Sequence, residues 1–181
     1  MRKIVGFKLE VRRSAVERRA KKFVAGLAEG ELDNFLSKAY GAMKPAVVFD
    51  SYSKPLAEES AVLSPLPGLG FSLILASLGE SFAAFRDQAR EGQELIYIVE
   101  EIALEDAGRF AASLIEQEAA QEACELSPLS LLSGDALAMA FKKLPGDKIS
   151  MGLEEGRLKP SCSRAWSLSW MAKSKSRGKA K

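Results

Sequence analysis

The stretch Phe71-Ser-Leu-Ile-Leu-Ala-Ser77 constrains the fold more than any other part of the chain. It is a nearly continuous apolar run of strand length, and strands of that kind are buried on both faces. Other elements must therefore cover the sheet on each side. The 181 residues are 47% hydrophobic and 28% charged, enough apolar material for one domain with a core of its own. The largest covering element is a helix predicted from about Gln93 to Ala123, where Leu95, Ile98, Val99, Ile102, Phe110, Leu114 and Ile115 recur at helical spacing.

The remaining elements follow from period and punctuation. Ile4 to Val11 alternates loosely and predicts a first strand with Val5, Phe7, Leu9 and Val11 on one face. Ser14-x-x-Glu17 has the form of a capping box and opens a helix over about Ala15 to Leu27, basic along Arg18, Arg19, Lys21 and Lys22. Leu32, Phe35, Leu36, Ala39, Tyr40 and Met43 predict a second helix that Lys44-Pro45 ends. Ala46 to Tyr52 reads as a strand and Ser53 to Gly70 as a long loop rich in Pro and Gly. Phe82, Phe85 and Ala89 give a helix that Gly92 stops, and Asp135 to Lys143 gives a short one. Lys148 to Leu153 and Arg157 to Lys159 form a hairpin around Glu154-Glu155-Gly156. The domain spans residues 1–170, and 171–181 form a basic, disordered tail.

Chemistry is narrowed by what the sequence lacks. There is no histidine, which removes the commonest general base and any Ser-His-Asp or Cys-His triad. Cys124 and Cys162 form no CxxC, so zinc frameworks are absent. The two can pair, although buried free thiols are the reading that suits a cytoplasmic chain. No apolar run reaches the ~20 residues needed to span a bilayer, so a cytoplasmic protein with no membrane partner is expected. Glu100 and Glu101 are adjacent on a helix and read as a solvated face; Glu154 and Glu155 lie in a turn, either solvated or facing a ligand. Gly68-x-Gly70 precedes a strand, the reverse of a phosphate-cradling order. The basic first helix and tail lack interleaved aromatics, so no nucleic-acid stacking platform is visible. Trp166 and Trp170 either form a partner-facing patch or pack into the domain.

The order of these elements resembles the activation domain of cobalamin-dependent methionine synthase. Lys44-Pro-Ala-Val-Val-Phe49, then Phe71 to Glu80 with its Leu-Gly ending, a helix closed by Gly92 and the long helix after Glu94 carry the likeness. The stretch Ile149 to Ser163 resembles the family's closing pattern, with Glu154, Gly156, Leu158, Pro160, Ser161 and Ser163 in register. The resemblance covers about residues 5–168. It implies an α+β fold with a twisted, antiparallel-rich mixed sheet flanked by helices. It also implies a ligand groove for S-adenosylmethionine that uses Ser127, Pro128, Glu154, Pro160 and Ser163, with no catalytic residue and no metal ligand on the chain itself. Cobalamin would be carried by a partner, either a methionine synthase core or a corrinoid protein, and reduced by a flavodoxin- or ferredoxin-type donor. The family's Arg-x-x-Pro-Gly-Tyr loop corresponds here to Glu125-Leu-Ser-Pro-Leu-Ser130. Two functions are therefore expected: a stand-alone relative that assists reductive remethylation of cobalamin, or a binding and scaffold module that keeps the fold without the ligand. A glutamate at 125 favours the second, and the hairpin around Glu154 the first.

Overall fold

The apolar run lies at the centre of the sheet. The computed structural model describes residues 1–25, 30–53, 55–89 and 92–173. Eight strands are present among them: β1 (Arg2–Val5), β2 (Ala46–Ser53), β3 (Gly70–Ser77), β4 (Cys124–Leu126), β5 (Ser130–Leu131), β6 (Gly152–Glu154), β7 (Arg157–Lys159) and β8 (Ser163–Ala172). The main sheet has the order β1-β2-β3-β8-β4, with β5 also paired to β8; β6 and β7 form a separate hairpin. Every described pairing is antiparallel, where a mixed sheet is expected from the resemblance. The fold is thus an α+β arrangement of one antiparallel sheet flanked by helices.

Every residue of β3 is buried, as the apolar run predicts. Its side chains divide by the two-residue period of a strand. Ile74 and Ala76 join Val47, Phe49, Trp166 and Leu168 on one face; Phe71, Leu73 and Leu75 join Val48 and Ala165 on the other. The first face is covered by α1 (Arg13–Arg19), α3 (Glu31–Ala42), α5 (Glu80–Gln88) and the long α6 (Gln93–Gln121). The second is covered by α4 (Ala57–Leu63), α7 (Gly134–Lys143) and a 3₁₀ turn at Gly146–Ile149. Small residues let α6 lie close to the sheet: an added Cβ at Gly108 would stand 3.3 Å from the Trp166 ring.

The structure departs from the sequence reading in several places. The first strand ends at Val5, which is 59% exposed, because Gly6 turns the chain away at φ +67°. Phe7 instead stacks on Phe110 of α6, with ring centroids 4.4 Å apart. No capping box forms: α1 begins at Arg13, and Glu17 accepts a 2.7 Å bond from the Arg13 side chain. The basic helix breaks at Ala20 into α1 and α2 (Lys21–Val24), and residues 26–27 of the predicted span lie outside the described residues. Two of its arginines are committed to carboxylates, Arg13 to Asp33 at 2.6 Å and Arg19 to Glu105 at 2.8 Å. The expected loop over 53–70 contains α4, whose Leu63 is fully buried. The first arm of the predicted hairpin is in part the 3₁₀ turn, so the paired strand starts only at Gly152. β8 continues through Met171 and Ala172, and residues 174–181 of the expected tail lie outside the described residues. No described helix is long and apolar enough to cross a membrane.

Candidate functional site

Ser127 and Pro128 lie along the flank of β8. Leu126 is opposite Trp170 and Ser130 is opposite Ser167, so this side of the ladder holds one residue more than β8 does between the same two points. That is a β-bulge, and it falls at the proline, which has no N–H to give to the ladder. Ser127 closes the gap with its own groups. Its N–H donates to the Ser169 carbonyl at 3.0 Å, and its Oγ accepts the Ser169 N–H at 2.9 Å. The same hydroxyl donates to the Pro128 carbonyl at 3.0 Å. Ser127 is buried and Pro128 is exposed.

The other three expected residues lie toward the opposite end of β8. Glu154 is on the exposed β6–β7 hairpin opposite Arg157, beside a turn in which Glu155 and Gly156 both have positive φ. Pro160 follows a cis peptide bond and leads back into β8. Ser163 is buried at the start of β8 opposite Ser77, with its hydroxyl lacking a hydrogen-bond partner among the described residues. Ser163 and Ser169 are separated by most of the strand, about 20 Å at a rise of ~3.3 Å per residue. The structure thus brings Pro160 and Ser163 together in sequence and space, and sets Ser127 and Pro128 apart from them. None of the five lines either of two cavities, of about 850 and 510 Å³. Glu125 is exposed opposite Met171.

A polar cluster that the sequence reading does not anticipate sits beside Ser163. Glu100 is not solvated: its side chain is 12% exposed and accepts a 2.9 Å bond from Arg86, itself 11% exposed. Arg86 also reaches Asp87 at 3.0 Å and the Ser161 hydroxyl, and its guanidinium lies 5.7 Å from the centre of the Tyr97 ring. Burial raises the Glu100 carboxyl above its usual range, with Arg86 pulling the other way. Arg86 and Glu100 come from different helices, with Gly92 between them, so no local spacing pairs them. Glu101 points elsewhere, to Arg164 at 3.5 Å, as adjacent helical positions must.

Cys162 adjoins this cluster. Its thiol is fully buried and donates to the Gly79 carbonyl at 3.2 Å. Burial first, then the Glu100 charge, pushes it up to about 11. Such a thiol is inert at neutral pH, since the thiolate is the nucleophile. Both cysteines are buried and free, in keeping with the expectation of unpaired thiols. Native protein at pH 8 is expected to give no fast reaction with a disulfide reagent such as dithiobisnitrobenzoate, and two thiols after denaturation. A full equivalent released within seconds from folded protein would show that one cysteine is accessible.

Trp166 and Trp170 are buried in the main core, which leaves no partner-facing patch at these positions. The Trp170 indole N–H donates to Ser72 Oγ at 2.7 Å, and Ser72 in turn shares a 2.8 Å bond with Ser51. Among the described residues, no group of three or more Cys, Asp or Glu side chains is placed to hold a metal ion. No family model matches the chain, and comparison with curated proteins finds no match.

Proposed function

We propose that the protein is a stand-alone module of the methionine synthase activation-domain type, acting by docking on a separate cobalamin-bearing protein. The partner is a methionine synthase core or a corrinoid protein, and the module assists remethylation after a flavodoxin- or ferredoxin-type donor has reduced the cobalt. One observation supports this reading: the order of elements around β8. The apolar strand, two helices, Ser-Pro segment, short helix and hairpin all lead to a last strand seated between the apolar strand and the Ser-Pro segment. The chain would supply orientation, and the reaction would belong to the partner's cofactor.

Co-elution with a purified cobalamin-bearing methionine synthase core tests docking. A stable complex, together with faster recovery of methylcobalamin under reducing conditions, is the expected result; separate elution at 50 µM of each protein would sink the proposal. Titration with S-adenosylmethionine is the companion measurement. Saturable heat, with a dissociation constant below about 1 mM, would place that ligand on this chain. A second reading is favoured by the exposed carboxylate at Glu125 and by the separation of Ser127 from Ser163: a scaffold module that has lost the ligand. Under that reading the calorimeter records no binding and the partner carries no corrinoid.

A further inference from the structure

The larger cavity lies at the other end of the sheet from the Ser127–Pro128 bulge, and its chemistry is distinct. Its volume is about 850 Å³, within the range of roughly 300–1,000 Å³ typical of small-molecule sites. Four lysines from four separate segments line it: Lys3 from β1, Lys8 from the turn after it, Lys44 before β2 and Lys148 from the 3₁₀ turn. One carboxylate, Glu80, faces them. None of the four ammonium groups forms an ion pair among the described residues, whereas Arg13, Arg19, Arg86, Lys143 and Arg164 all do. Other described cations, Lys21, Lys22 and Lys38 among them, are equally unpaired, but these four share one cleft with a single carboxylate.

Two further features mark the same cleft. α5 starts there at Glu80 and Ser81 with no side chain capping it, and the start of a helix favours an anion. Gly79, at φ +86°, makes the turn into α5 and packs against Lys44; an added Cβ would stand 3.1 Å from the Lys44 Cβ. The walls are apolar: Val5, Phe7, Leu9, Met43 and Ile149. Val5 is 59% exposed and Tyr40 39%, a surface that water covers at a cost. Cations and helix amides beside an apolar wall fit a ligand that is anionic at one end and flat or aliphatic at the other.

We infer that this cleft binds a phosphate-bearing small molecule of nucleotide size, its phosphates between Lys44, Lys148 and the start of α5 and its apolar body against Phe7 and Met43. The site is independent of the docking function proposed above. Like-charged lysines crowded into one cleft repel each other, and a bound polyanion relieves that repulsion.

ADP is the probe. Calorimetric titration of the full chain at low ionic strength is expected to saturate with a dissociation constant below about 1 mM, and to weaken as salt is added. The double variant Lys44→Gln, Lys148→Gln should bind tenfold or more weakly. Lys21→Gln, Lys22→Gln removes the same charge from an exposed helix outside the cleft and should bind ADP as the wild type does. No saturation at 10 mM ADP overturns the inference, as does an equal loss in both double variants. A twelve-nucleotide single strand bound more tightly than ADP, and lost with the same lysines, would reassign the cleft to nucleic acid and overturn it too.

Discussion

Glu100→Ala is expected to destabilise the fold by about 3 kcal/mol, the lower end of the range for breaking a buried ion pair. The substitution leaves the Arg86 guanidinium in a nearly dry site with Asp87, the Ser161 hydroxyl and the face of the Tyr97 ring as partners. Asp87 is two-thirds exposed, so its charge is largely screened by solvent and does not replace Glu100. In a domain of this size the midpoint of thermal unfolding should fall by about 6–12 °C. The double variant Arg86→Met, Glu100→Leu should recover most of that loss, since no uncompensated charge remains. A single-variant loss under 1 kcal/mol would mean that water reaches the pair freely.

The same carboxyl leaves a mark on the pH profile. Burial raises its folded-state value above that of the unfolded chain, so the folded state holds this proton more tightly. The stability from that proton is fully present below the unfolded value near 4.5 and is lost as pH rises through the raised folded value. Glu105 has the opposite sign: Arg19 lowers it, so its contribution is present above the unfolded value and lost as pH falls through the folded one. Denaturant titrations of Glu100→Gln between pH 4 and 7 should therefore lose less stability with rising pH than the wild type. Identical slopes would contradict the buried position of Glu100.

Trp170→Ala is the second substitution with a large expected effect, about 3–5 kcal/mol. Its ring is 7% exposed in the main core, and its N–H is the donor that ties β8 to Ser72 of β3. Trp170→Phe keeps most of the packing and loses that bond, so a cost of about 1–2 kcal/mol is expected. The ratio of the two losses, read from equilibrium unfolding in urea, separates packing from hydrogen bonding. Equal losses would assign nearly all of the tryptophan's contribution to its N–H.

The parts of this fold that were legible in the sequence are those where burial is total or the period long. β3 has apolar side chains at most positions because both faces are covered, and α6 repeats its apolar stripe over 29 residues. β8 was hidden by its serines. Ser163, Ser167 and Ser169 are all buried, so polar residue types occupy covered positions, and the alternation Trp166, Leu168, Trp170 is too short to mark the strand against them. α4 was masked by the prolines on either side of it. The Arg86–Glu100 pair and the lysine cleft join residues far apart in the chain, so neither has a local spacing from which to infer it. Of the five expected ligand contacts, the hairpin and its proline were placeable from turn chemistry, whereas the bulge at Ser127–Pro128 exists only through its register against β8.

The position of β8 also governs when the molecule can fold. It follows every one of its partners in the chain, yet it supplies an interior strand of the sheet, pairing Gly70 with Trp170 and Ser77 with Ser163. Such distant pairing closes slowly, because loop entropy is lost before any contact is gained. During synthesis β3 is extruded long before β8, with one edge bare and both faces apolar. The nascent chain therefore passes through an interval in which its most hydrophobic strand has no second neighbour, and a chaperone that shields strand edges would act in that interval.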